Sequence, residues 1–413
     1  VLSPDDHATV RPAGGRPPAR VLLVALEARH ISSCRLPAAF AAAGAELAAL
    51  AAPDSLMFRS RHIATRFPLE ATLNARRLRA RLERAVAAFA PDLLVPCDER
   101  TLWLMDHLAG EAGRAGLAAL SPGLAACLAR SLGRLDTLPD RIHKPLTQRL
   151  ARDIGVRAPV DIPAATLEEA RAAALQLGYP VVVKRPRSCG GSGVAICRTP
   201  EELDSIGARW MRRKSRWPRL KARLLERDWM TPPSQVSVQS YIEGRLAVSC
   251  AAAMAGRTLG VLTAVAERRT RDLLPADVLR YVARPDLVAA SAALVAAFGA
   301  SGFVSFDFLI DAEDRAWLLE CNARPTPVLP FGARAGLDLA ALLLAYLRAP
   351  ADGEATTPRT VAEETRVALF PQAVMQGPPD AELRAIWQAV PWDEPELLRA
   401  LLVELRLARQ GEE

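Results

Sequence analysis

No stretch of this chain is apolar for long enough to span a bilayer. Hydrophobic residues make up 50% of its 413 positions, but charges are dispersed among them, so an integral membrane protein is not expected. A secretory leader is not expected: Arg20 precedes the apolar run Val21 to Leu26, and Glu27 ends that run too early for a hydrophobic region of that kind. Cytoplasmic residence is the expectation. Patterned cysteine is also absent. The seven cysteines (Cys34, Cys97, Cys127, Cys189, Cys197, Cys250 and Cys321) are scattered, odd in number and free of CxxC or Cys/His spacing, which argues for reduced thiols rather than a disulfide framework or a thiolate metal site. Two phosphate-binding signatures are lacking as well. No GxGxxG joins the first strand to the first helix, which argues against a dinucleotide site, and GxxxxGK[ST] does not occur.

The length fits two or three domains with a sizeable core. The formal net charge of +7 suits anionic ligands, yet heavy Ala, Arg and Leu usage could equally reflect base composition, so charge alone decides nothing. The chemistry concentrates in Gly302 to Pro327, GFVSFDFLIDAEDRAWLLECNARPTP. Gly302 to Ile310 and Ala316 to Asn322 are rich in aromatic and β-branched residues, and the charged run Asp311, Glu313, Asp314, Arg315 between them reads as a turn. With the turn centred between Glu313 and Asp314, Asp307 falls opposite Glu320 and Ser305 opposite Asn322 on one face, leaving Phe306, Phe308, Trp317 and Leu319 on the other. Two carboxylates facing each other at about 5 Å repel by roughly 3 kcal/mol at an effective dielectric near 20. Mg2+, which takes carboxylate and amide oxygens and leaves room for water and nucleotide phosphates, would compensate, with Asp307, Glu320 and Asn322 as ligands. The plainer reading is a hairpin whose acids point to solvent.

A strand ending in Asp, a short turn, then hydrophobics followed by Glu-x-Asn-x-Arg resembles the metal-binding strands of the ATP-grasp superfamily of ligases. The resemblance extends over roughly Val21 to Arg348 as an ordered series of segments. It implies an α/β architecture, α+β in the ATP-grasp part: an N-terminal doubly wound α/β domain followed by a two-subdomain ATP-grasp fold. The expected division is a disordered lead-in over 1–19, an N-terminal domain over 20–125, an ATP-grasp domain over 126–350 and a C-terminal appendage over 351–413. Within the ATP-grasp domain a nucleotide-covering subdomain is expected over 156–240 and a metal-binding subdomain over 241–350.

Taken in order, Val21 to Leu26, Leu36 to Ala43 and Ala45 to Ala51 read as a βαβ unit. The strand Leu93 to Val95 leads to Asp98 and Glu99, which are either substrate contacts or a helix cap and first-turn acid. Lys144 opens a helix and, by resemblance, would meet nucleotide phosphates. Val181 to Val183 form a buried strand closed by Lys184, a charge that needs a partner such as phosphate. Ser188, Gly190, Gly191, Ser192 and Gly193 follow as a loop whose backbone N–H groups could close on phosphate oxygens. Gly207 to Thr231 interleaves basic residues with Trp210, Trp217 and Trp229. It is read as an amphipathic helix and loop with inward Trp residues, against a nucleic-acid contact.

Val236 to Gly244 resembles the hinge strand that meets adenine, with Gln239, Tyr241, Ile242 and Glu243 as its ATP-binding residues. Leu246 stands where many relatives carry a ribose-binding Glu. Arg268 and Arg269 are candidates to hold the transferring phosphoryl group, and Arg324 to grip a substrate carboxylate or γ-phosphate through its planar donors. The resemblance thus implies ATP and Mg2+ as cofactors and a ligase that activates a carboxylate as an acyl phosphate and passes it to an amine. Its partners would be small-molecule carboxylate and amine substrates, with an amino acid or peptide type favoured by analogy. A bicarbonate-activating carboxylase type and a non-catalytic nucleotide-binding module are the alternatives. A homodimer is the commonest assembly for such an enzyme.

Overall fold

The computed structural model describes residues 17–70, 74–115, 120–187, 193–211, 217–232, 235–268, 276–350, 357–375 and 379–410. Sixteen strands form three sheets among the described residues. The first sheet contains β1 (Arg20–Ala25), β2 (Glu46–Ala51), β3 (Thr65–Pro68) and β4 (Leu93–Pro96) in the order β3-β2-β1-β4. All its pairs are parallel. The near-continuous apolar runs of β1 and β2 follow from burial on both faces, as parallel sheets require. Chain direction across the sheet reverses between β1 and β4. The crevice at their C-terminal ends is therefore a topological switch point, where open α/β sheets bind ligands.

The second sheet is antiparallel and small: β5 (Asp161–Ala164), β6 (Val181–Lys184), β7 (Val194–Cys197) and β8 (Val236–Ser240), in the order β5-β8-β6-β7. The third is built on β9 (Arg245–Met254), β10 (Arg257–Arg268), β11 (Val278–Tyr281), β12 (Gly302–Ile310) and β13 (Ala316–Asn322). Three short strands after residue 357 are part of it. Strand β14 (Arg359–Thr360) pairs with β10, β15 (Thr365–Ala368) with β11, and β16 (Trp387–Gln388) with β15. The C-terminal helix Pro395–Gln410 then buries Leu397 and Leu401 against Cys34 and Leu56 of the N-terminal part. One apolar cluster runs from the first sheet into the third, with Phe40 meeting Phe303 edge to face at 5.6 Å.

The β12–β13 hairpin has the expected register at its open end, Asp307 opposite Glu320 and Ser305 opposite Asn322. Nearer the turn it differs, because Phe308 pairs with Leu318. Leu319 is the extra residue of a β-bulge, which re-aims the side chains that follow it. Leu318, not Leu319, therefore joins Phe306 and Phe308 in the core, Leu319 faces the cleft described below, and the Trp317 indole N–H donates to Asp311 at 2.8 Å. Gly302 starts β12 at φ +79, and a Cβ there would lie 2.5 Å from the Ser131 carbonyl oxygen. Glycine is required on both counts.

The basic-aromatic stretch has a structural role. Trp229 is buried within the N-terminal cluster that holds Leu102 and Met105. Arg187 donates to the Trp229 and Thr231 carbonyls and lies 5.4 Å from the Trp103 ring centre. The Leu225 and Glu226 carbonyls accept hydrogen bonds from Asn74 and from the Ala75 amide. This segment thus straps the small sheet's side of the molecule to the N-terminal part. Among the described residues no single helix is long and apolar enough to cross a membrane.

Candidate active site

A cleft of 810 Å³ opens between the small sheet, the large sheet and the C-terminal ends of β1 and β4. That is ample for a nucleotide with a second small substrate. Its charged lining is mostly basic: Lys144, Arg149, Arg152, Lys184, Arg185, Arg187 and Arg324 against Glu99, Asp161, Asp307 and Glu320. At its centre Lys144, at the start of the helix Lys144–Asp153, forms a close ion pair with Glu320. Asp307 abuts Glu320 from the neighbouring strand, and burial, then the adjacent Glu320 charge, pushes the Asp307 carboxyl up to about 8. Burial would raise Glu320 too, but Lys144 and then Lys184 more than offset it and bring it down to about 2. One carboxyl of this pair is thus strongly acidic and the other reluctant to ionise, the behaviour of two acids in one small volume.

Lys184 ends β6 and is buried. Desolvation, followed by the Lys144 charge, lowers its ammonium to about 8. Burial alone would lower Lys144, whose pairing with Glu320 instead raises it. Arg324 also lies deep. Its partner is Glu99, which accepts from Nε at 3.2 Å and from Nη2, while Nη1 donates to the Pro325 carbonyl at 3.0 Å. Desolvation would raise the Glu99 carboxyl, but Arg324 and His30 hold it below its ordinary range. Asp98 caps its helix instead, accepting from the Thr101 amide at 2.8 Å and from the Glu27 amide at 2.9 Å. Ser305 donates to the Arg324 carbonyl at 3.0 Å and so fixes the turn that presents Arg324.

Lys144, Lys184, Asp307, Glu320, Asn322 and Arg324 all line the one cleft. Other expected residues stand elsewhere. Gln239 is buried behind the wall, donating to Gln148 at 2.5 Å and to Asp161 at 3.2 Å. Tyr241, Ile242 and Glu243 do not line the cleft, whereas Leu246 does. Arg268 sits on the surface with Asp380 at 3.2 Å. Gly193 closes the β6–β7 connection, its carbonyl accepting from the Arg185 amide at 2.8 Å. Ser188, Gly190, Gly191, Ser192 and Arg269 lie outside the described residues. Asp161 is a cleft residue that the sequence reading left out, whereas Glu99, read there as either a substrate contact or a first-turn acid, lines the cleft beside Arg324.

Residues 143–239 match the family model for the carbamoyl-phosphate synthase L chain, ATP-binding domain. A carbamoyl phosphate synthase large chain from Pyrobaculum aerophilum is 31% identical over 103 residues, 25% of this chain and 8% of that protein. A D-alanine–D-alanine ligase from Pseudomonas entomophila is 26% identical over 261 residues, 59% of this chain and 75% of that one. Among solved structures, the biotin carboxylase domain of the Hydrogenobacter thermophilus 2-oxoglutarate carboxylase, bound to MgADP, ADP and bicarbonate, aligns over 85% of this chain and 74% of that one, with a TM-score of 0.58 and 15% identity. The matched part of this chain is thus a small fraction of the synthase's length. With its N-terminal parallel sheet, small antiparallel sheet and large sheet around one basic cleft, the chain shares the fold of that carboxylase domain, the ATP-grasp fold.

Proposed function

We propose that this protein uses ATP to activate a carboxylate-type oxygen as an acyl phosphate, releasing ADP, and then transfers the acyl group to a nitrogen nucleophile. The observation that carries this is the Asp307–Glu320 pair, ringed by Lys144, Lys184 and Arg324 at the centre of a cleft large enough for two substrates. Phosphoryl transfer needs little covalent help from a protein; positioning and charge neutralisation suffice. The acid oxygen attacks the γ-phosphorus as the bond to the ADP oxygen breaks. The nucleophile then attacks the acyl carbon and phosphate departs.

The donor set fits Mg2+. Two adjacent carboxylates, one of them hard to ionise in its neighbour's presence, with an amide oxygen from Asn322 beside them, are what a cation shared with nucleotide oxygens takes; among the described residues no cluster of three His, Cys, Asp or Glu side chains competes for that role. Bound there, Mg2+ would neutralise charge on the β- and γ-phosphate oxygens. Lys184 would hold those oxygens from the small sheet and Lys144 from the start of its helix, and the Glu99-braced Arg324 would orient the acid.

Bicarbonate is the acid best supported. The family model describes a carbamoyl-phosphate synthase, and the carboxylase domain named above was crystallised with MgADP and bicarbonate. A carboxylate–amine ligase is the second reading, favoured by the match along 75% of the D-alanine–D-alanine ligase. The test is ADP and phosphate release from MgATP in bicarbonate-free buffer, with bicarbonate or pooled amino acids added back. Dependence on bicarbonate supports the first reading and dependence on an amino acid the second. Release of AMP and pyrophosphate refutes both.

A further inference from the structure

Away from the central cleft, the C-terminal helix and the connection after β2 enclose a second cavity of 310 Å³, which shares no residue with the cleft. That volume is at the small end for a metabolite site. On the helix side Glu396, Arg399, Ala400, Val403 and Glu404 recur at intervals of three and four and so share one face. Opposite them lie Asp54, Leu56 and Arg59, with Arg29 from the loop after β1. Three arginines thus stand against three carboxylates, and the cavity favours neither a simple anion nor a simple cation. Arg29 pairs with Glu404 at 3.0 Å, and Arg399 pairs with Glu396. Arg59 and Asp54 are left over: among the described residues their side chains form no hydrogen bond or ion pair, with each other included. Between the charges runs a short aliphatic strip. Leu56 and Ala400 belong to the apolar cluster under the helix, whereas Val403, one turn further on, lies outside it and is 52% exposed.

An unpaired guanidinium, an unpaired carboxylate and a strip of aliphatic surface in one small cavity are the complement of an amino acid zwitterion. We propose that this cavity binds a free amino acid with an aliphatic side chain. Its carboxylate meets Arg59, whose planar donors can grip two oxygens, its ammonium meets Asp54, and its side chain covers Leu56, Ala400 and Val403. None of the central charge cluster reaches this cavity, so the amino acid held here is not a reactant. It does sit behind the cleft. The Ala28 carbonyl accepts from the Leu56 amide at 2.9 Å, and the segment that starts there carries Arg29 into the cavity, packs Ile31 and Cys34 against the C-terminal helix and sets Ser32 on the cleft wall. His30, in the same segment, lies 3.8 Å from the Glu99 carboxylate that braces Arg324. Cavity and cleft are two sides of one segment.

The experiment is calorimetric titration of the full chain, without nucleotide, with L-leucine, L-valine, glycine and two leucine analogues. Leucinamide lacks the carboxylate and N-acetyl-L-leucine lacks the ammonium; each is expected to bind about tenfold more weakly than leucine, or worse, because a charge-assisted contact is lost. Glycine is weaker too, for want of the aliphatic contact. Arg59→Gln abolishes the discrimination between leucine and leucinamide, and Asp54→Asn that between leucine and N-acetyl-L-leucine, in each case through loss of leucine affinity. Both side chains are exposed, so the melting temperatures stay within about 2 °C of wild type. Absence of leucine and valine binding overturns the proposal, as does equal binding of leucine and its analogues to the wild type. Discrimination that survives both substitutions overturns the assignment to this cavity. None of these outcomes depends on the ATP reading, which bicarbonate- or amino acid-dependent ADP release tests separately.

Discussion

Lys144 and Glu320 offer a direct measure of how tightly the site's charges are balanced. Their ion pair lies next to Asp307, and both side chains are largely enclosed, with 22% and 26% of their side-chain surface exposed. Lys144→Met leaves two facing carboxylates with Lys184 as the remaining nearby ammonium. Breaking a buried pair costs about 3–5 kcal/mol, and the partial exposure here brings the expected loss to roughly 2–4 kcal/mol. Glu320→Gln strands Lys144 beside Lys184 and costs a similar amount. The double variant removes both charges and is expected within about 1 kcal/mol of wild type, so the coupling energy is at least about 3 kcal/mol. Urea unfolding followed by tryptophan fluorescence measures the cycle, and ADP release measures function, which all three proteins lose by at least about a hundredfold. MgCl2 is expected to restore part of the stability of Lys144→Met, since a divalent cation relieves the same repulsion. Single substitutions that add to within about 0.5 kcal/mol of the double would refute the claim that these charges form one unit.

Asp307→Asn, nearly isosteric, is expected to leave the fold intact and to abolish the rise in melting temperature that MgADP gives the wild type; an undiminished rise would rule Asp307 out as a ligand. Lys184 carries opposite signs in two pH profiles. Its folded pKa of about 8 lies below the unfolded 10.5, so its contribution to stability is fully present above 10.5 and is lost as pH falls through 8, whereas its grip on phosphate weakens as pH rises through 8. ADP titrations between pH 7 and 9 in wild type and Lys184→Arg check this, the variant holding its affinity across the range. Trp229→Ala is expected to cost about 3–4 kcal/mol by opening a cavity in the N-terminal cluster. Hydrogen exchange would then report faster opening of amides in residues 217–231, and unchanged exchange there would refute the strap.

The parts of this site legible in the sequence are those fixed by local rules. The Asp311 to Arg315 turn sets the hairpin register, because the Asp311 carboxylate accepts from the Glu313 and Arg315 amides, and the alternation of strands does the rest. The bulge at Leu319 was hidden, since it depends on how β12 and β13 meet the rest of the sheet. Glu99 and Arg324 are 225 positions apart, and no periodicity links them. Gln239 has the pattern of a cleft residue, but tertiary packing turned it to Gln148 and Asp161. The N-terminal βαβ pattern was readable because buried parallel strands are apolar throughout. Strands β14 to β16 were not, being two to four residues long and stabilised by neighbours far away in the chain.

Those late strands bear on how the molecule is made. Strand β15 covers an edge of β11, which precedes it by more than eighty residues, and β14 lies along β10 from a comparable distance. A nascent chain emerging from the ribosome can pair β9 with β10 and fold the β12–β13 hairpin early, but β11 keeps an unpaired edge until residues near 368 have been synthesised. Non-local pairing of this kind is slow, and an open edge is sticky while it lasts. Stalled or truncated products ending before Arg359 should therefore be the aggregating species, even though they contain every residue of the central charge cluster.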